Sequence, residues 1–189
     1  MSLLISAFAL LVSITTAWLT LFRRGRLGMT RPVFVGFVWD TPGGEPKIFL
    51  RAMLYATGIR GYVVEGLYLK VRCREIEHMF SFWTVNQDSR MTIGSGMKVG
   101  EDGVSADFHF LPPKTAHGFQ FLAGEYKIAV YARVVNRSSS ILLSKFEVGL
   151  SEEQAHAMSP NMINGIFFSW QPEEEFYHSY IDARPLHST

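Results

Sequence analysis

The sequence predicts an all-β protein: an antiparallel β-sandwich behind an N-terminal transmembrane helix, with one or two short helices besides. Three observations predict it. Residues 2–22 hold no charged side chain, and four arginines follow them: Arg23, Arg24, Arg26 and Arg31. From residue 62 onward, apolar positions recur with a period of two, as in half-buried strands. Clusters of Gly, Pro, Asn and Ser punctuate those runs.

The opening run, taken as a helix, rises about 30 Å, the thickness of a bilayer's hydrocarbon core. The hydroxyls of Ser13, Thr15 and Thr16 can return to carbonyls one turn earlier. Trp18 lies near the arginine end, where interfacial aromatics collect. Basic residues follow the run rather than precede it, and no small-residue cleavage pattern is present, which disfavours a signal peptide. The sequence thus predicts a single-pass membrane protein with its N-terminus outside and its C-terminal domain cytoplasmic. Trp18, Arg23, Arg24, Arg26 and Arg31 would line the membrane interface, and residues 2–22 would have the lipid bilayer as partner. The expected division is an anchor over 1–22, a basic juxtamembrane linker over 23–31, a β-sandwich domain over 32–182 and a flexible tail over 183–189.

Formal net charge is +1 and aromatic residues make up 14% of the chain, so the basic excess of a polyanion binder is missing and no nucleic-acid partner is expected. One cysteine, Cys73, cannot form an internal disulfide, which agrees with a reducing compartment.

The elements follow in order. Residues 32–39 form a β-branched and aromatic run that reads as a strand covered on both faces. Residues 47–57 are ambiguous. Phe49 with Met53 and Leu50 with Leu54 are helical i,i+4 pairs and Pro46 suits a first turn, so a short helix is preferred over the weaker alternation. Leu67, Leu69, Val71 and Cys73 share one face of a strand whose other face carries Tyr68, Lys70, Arg72 and Arg74. Strands follow at 78–85, 91–93 and 104–111, with a glycine-rich loop or bulged hairpin at 94–103. The clearest strand places Tyr126, Ile128, Val130, Ala132 and Val134 on one face, and Leu142, Phe146, Val148 and Leu150 return the chain. Ser151 and Gln154 make a capping box ahead of a short helix. Two aromatic strands, 166–170 and 176–181, flank a polar turn.

The segment LAGEYKIAVYA at 122–132 resembles the penultimate strand of immunoglobulin-like and fibronectin-like domains, with Tyr126 at the position of the tyrosine corner and Gly124 before it. The resemblance implies a sandwich fold and a phenol bonded across the corner, but the cysteine pair of antibody domains is absent. The runs PKIFLRAMLYATGIRG and GSGMKVGEDGVSADFHFLPP give the layout a likeness to small bacterial single-span membrane-anchored proteins, which implies no catalytic residues.

Candidate chemistry is sparse. Asp107 and His109 stand two apart on one strand face, where a third group would be needed for a metal or acid–base site. The loop carboxylates Asp40, Glu45, Asp88, Glu101 and Asp102 lack a calcium-loop pattern, and no cofactor is expected. Lys70, Arg72, Arg74, Lys127 and Arg133 would form a basic face on two neighbouring strands, open to an acidic partner. The function these features favour is a membrane-anchored, non-enzymatic binding or scaffolding module facing the cytoplasm. The alternatives are an anchored hydrolase or metal-dependent enzyme around Asp107 and His109, and a membrane effector or sensor whose transmembrane helix oligomerises.

Overall fold

Period-two alternation builds most of the described residues. In the computed structural model, which describes residues 2–19, 25–39, 44–87, 90–93, 96–113, 119–158 and 164–183, two helices accompany a twelve-stranded sheet. The helices are α1 (Ser2–Ala17) and α2 (Glu152–Ala157). The strands are β1 (Leu27–Met29), β2 (Phe34–Trp39), β3 (Pro46–Ala56), β4 (Tyr62–Cys73), β5 (Ile76–Gln87) and β6 (Arg90–Ile93). They continue with β7 (Met97–Val99), β8 (Val104–Leu111), β9 (Gly124–Val134), β10 (Ile141–Leu150), β11 (Asn164–Gln171) and β12 (Phe176–Ala183).

The strands form one hydrogen-bonded sheet in the order β10-β9-β4-β5-β8-β3-β2-β11-β12, with β1 beside β3, β6 beside β5 and β7 beside β4. It is antiparallel and curls nearly into a barrel. This corrects the expectation of an immunoglobulin-like pair of separate sheets, although the architecture stays sandwich-like in being antiparallel β throughout. The physical reason is that β8 pairs on one edge with β3 and on the other with β5, so the ladder never breaks between layers.

The transmembrane expectation is also overturned. α1 spans 16 residues, about 24 Å at 1.5 Å per residue, which is short of a bilayer core. Trp18 and Leu19 already depart from α geometry. Among the described residues no helix is long and apolar enough to cross a membrane. The single-pass placement, its orientation and the cytoplasmic assignment built on it fall together. The hydroxyls of Ser13, Thr15 and Thr16 do donate to the carbonyls of Ala9, Leu11 and Val12 at 2.8–2.9 Å. Such back-bonding competes with the main-chain ladder and bends helices. Residues 20–24, including Arg23 and Arg24, lie outside the described residues, as do residues 184–189 of the expected tail.

Two local expectations change with tertiary context. Residues 46–56 form the strand β3, not a helix, because both edges are claimed: Leu50 faces Val35 of β2 and Phe108 of β8. Ile48, Leu50, Ala52, Leu54 and Ala56 are its buried row. In β10, a bulge between Leu142 and Ser144 shifts the phase, so Leu142 is exposed while Phe146, Val148 and Leu150 are buried. Within the stretch expected as linker, Leu27 and Met29 of β1 enter the core.

The main core fills the inside of the curled sheet, with Phe37, Phe80, Phe108, Phe110, Tyr126 and Phe168 almost fully buried. Each such side chain contributes on the order of 2 kcal/mol by leaving water. A second, smaller cluster lies on the outer face, where Phe49, Phe167 and Val38 bury one another beside Phe34. Its rings lie 5.5–5.9 Å apart. Glycine makes that close approach possible: a Cβ at Gly36 would stand 2.1 Å from the Phe49 ring, and one at Gly165 would stand 2.8 Å from the Phe167 ring.

Candidate functional site

The sheet stops short of closing at β10 and β12. Among the described residues no backbone hydrogen bond joins these two edges. They meet through side chains, with the Phe146 ring 5.7 Å from that of Tyr177. A groove of about 850 Å³ opens there, reaching from the outer face of β4 and β9 across β10 to the β11–β12 hairpin.

Strand register determines which charges meet in it. On the outer face Glu77, Arg72, Lys127 and Glu147 form one row across β5, β4, β9 and β10. The next row is Met79, Lys70, Ala129 and Lys145. Of the five basic residues expected on this face, Lys70, Arg72 and Lys127 line the groove. They are not a bare basic plate. Lys70 Nζ lies 3.2 Å from Glu77 Oε1, Lys127 Nζ 3.5 Å from Glu147 Oε1 and Arg72 Nη2 3.5 Å from Glu75 Oε2. These pairs are solvent-exposed, so each adds little to stability. Their effect is to cancel charge locally. The hydrogen bond that the Lys70 ammonium donates to Glu77 raises it above its ordinary value. Glu125 and Glu147 share a hydrogen bond that lifts the Glu125 carboxyl and, with Lys127 beside it, lowers that of Glu147.

The opposite wall is aromatic. Trp170 and Tyr177 pack with ring centres 5.0 Å apart, and the Arg31 guanidinium sits 4.0 Å from the centre of the Trp170 ring. The Tyr177 hydroxyl donates to the Pro32 carbonyl at 2.7 Å. Burial raises the Tyr177 phenol, with Arg31 acting weakly against it. Lys145 and Arg31 thus face the groove from its two sides, and neither has a carboxylate partner among the described residues.

The remaining expected residues are placed elsewhere. Arg74 adopts a positive φ of 54° at the β4–β5 turn, where its guanidinium donates to the Ala123 carbonyl at 2.9 Å. Arg133 faces Gly66 in the register and does not line the groove. The Arg26 amide donates to Thr57 Oγ1 at 2.7 Å, and Trp18 is exposed on the helical segment. Tyr126 is buried, and its hydroxyl donates to the Leu122 carbonyl at 2.6 Å. Burial is the main cause that raises its phenol, with a side-chain contact to Cys73 adding to it.

Asp107 and His109 share an outer face but are committed separately. Both Asp107 carboxylate oxygens accept from Arg51, at 2.7 and 3.0 Å, whereas the His109 ring stacks 5.4 Å from Phe49. Among the described residues no three His, Cys, Asp or Glu side chains gather as a metal site. Asp40 and Asp88 lie outside the described residues. Sequence reasoning missed Arg31 as a groove residue, Lys145, and the acids Glu77 and Glu147. The only local signal for the acids was their alternation on the polar faces of β5 and β10. Compared with protein-family models, with curated proteins and with solved structures, the chain finds no match, so its site is read from its own geometry.

Proposed function

We propose that this chain is a non-enzymatic binding module that holds a protein partner in the groove along β10. The observation that supports it is the pair of sheet edges, β10 and β12, left unpaired on either side of a charged and aromatic groove. Exposed edges with open backbone groups are surfaces that proteins either blunt or use for pairing. Trp, Tyr and Arg, the residue types that anchor protein contacts most often, stand together at Arg31, Trp170 and Tyr177. The commitment of Asp107 to Arg51 favours this reading over acid–base chemistry at Asp107 and His109.

The test is photo-cross-linking in the cells of origin. A benzophenone amino acid replaces Phe176, a groove-lining residue that is 45% exposed. The expected result is one dominant protein adduct, reduced at least tenfold by adding Lys145→Glu and unchanged by Arg51→Gln, which lies outside the groove. No adduct, or one indifferent to Lys145, overturns the proposal.

A further inference from the structure

We infer that α1 is an assembly element, through which three or more copies of this chain pack their first helices into one bundle. This goes beyond the binding-module reading, because the groove takes no part in it.

The helix has no cover of its own. Every residue from 3 to 16 is exposed, with Leu3 at 85%, Leu4 at 75%, Phe8 at 71% and Leu11 at 64%. A folded monomer rarely leaves an apolar patch beyond roughly a few hundred Å² in water, and α1 leaves on the order of 1,000 Å². Packing is also what keeps such a segment helical. At 16 residues, with Ile5, Val12, Ile14, Thr15 and Thr16 branched at Cβ, α1 has a length at which isolated helices are marginal in water.

Another α1 is the surface that fits. The helix carries no charge, so identical copies meet without the like-charge repulsion that keeps paired helices apart. Giving most of its apolar surface to neighbours supplies the ~800 Å² per chain of a standard interface. The pattern around the helix sets how the copies face one another. Ser6, Ala9, Ser13 and Thr16 fall in one narrow stripe, and the large apolar side chains cover more than half of the circumference. The stripe turns to water, and Leu4, Phe8 and Leu11 opposite it form the central line of the bundle. Thr15, on the packing side, donates to the Leu11 carbonyl at 2.8 Å and so enters the bundle without an unmatched donor. A two-helix coiled coil uses only a narrow apolar seam. An arc this wide needs neighbours on both sides, which sets the minimum at three chains.

The experiment is analytical ultracentrifugation of the full chain at micromolar concentration, without detergent. The expected result is a defined assembly of three or more chains. Leu4→Glu with Leu11→Glu should reduce it to monomer, while Ser6→Glu with Ser13→Glu, on the outward stripe, leaves it intact. An unchanged β-sheet signal in far-ultraviolet circular dichroism shows that each variant keeps its sheet. A monomer, a dimer or a sediment of no fixed size overturns the inference. So does an assembly that survives the Leu4 and Leu11 substitutions, or one broken equally by those at Ser6 and Ser13. A monomeric chain that floats with phosphatidylcholine vesicles would assign α1 to lipid and overturn it as well. Lys145→Glu should leave the assembly intact; an assembly that it abolishes would belong to the groove and sink the inference. An intact assembly with no photo-adduct from Phe176 would fail the groove reading alone.

Discussion

β2 with β11 and β10 with β12 are two treatments of the same material. The first pair is hydrogen-bonded on every edge and covered on both faces, so Val35, Phe37, Ile166 and Phe168 face the core while Val38 and Phe167 are buried outside. The second pair has one partner each, and its outer surface carries Lys145, Glu147 and Gly149 on one strand and half-exposed Phe176 and Tyr180 on the other. Stability is concentrated where both faces of the strands are buried. Where charges and aromatics line the seam, the two sheet edges stay unpaired.

Substitutions separate the two regions by size of effect. Phe37→Ala empties a fully buried site and should cost about 4 kcal/mol in urea unfolding. Gly36→Val drives a side chain into the Phe49 ring and should cost about 2 kcal/mol, with the near-ultraviolet spectrum changing as the outer cluster shifts. A neutral result for this variant would show that the outer cluster adapts freely and is no rigid counterpart to the seam. Tyr126→Phe removes the bond to the Leu122 carbonyl and should cost about 1 kcal/mol in the same measurement.

The pH dependence follows from the buried phenols. Tyr126 and Tyr177 both ionise less readily folded than unfolded, so their contribution is complete below the ordinary tyrosine value of about 10 and is lost as pH rises above it. Alkaline unfolding should be shallower in Tyr126→Phe. The smallest effect belongs to the seam. Lys145→Glu should change stability by less than about 0.5 kcal/mol, because it is an exposed side chain without an ion pair. A larger loss would mean that β10 is held by its outer charges and not by Phe146 and Val148.

Strands with one wet face are legible in the sequence. β9 alternates over its whole length, and Tyr126, Ile128, Val130, Ala132 and Val134 are the buried row that alternation implies. β3 is not legible, because a strand covered on both sides loses its polar rhythm and Phe49 with Met53 imitates a helical pair. α1 misleads for a different reason: an uncharged composition reports what a segment avoids, not how long its helix runs. The groove lies beyond sequence reasoning because it depends on registers between distant strands. Alternation alone groups Arg72 with Lys127, but only the pairing of β5 with β4 and of β10 with β9 brings Glu77 and Glu147 against them. Closure of the sheet is likewise a property of the whole strand path.

One side chain near the seam has two employments. Gln154 Oε1 accepts from the Ser151 amide at 3.0 Å to complete the start of α2, while its Nε2 reaches Ser179 on β12. The same amide therefore ties the start of α2 to the far strand. Loosening α2 would cost β12 this one side-chain tie while its ladder with β11 stays intact, so the far strand keeps its place and loses only its link across the seam.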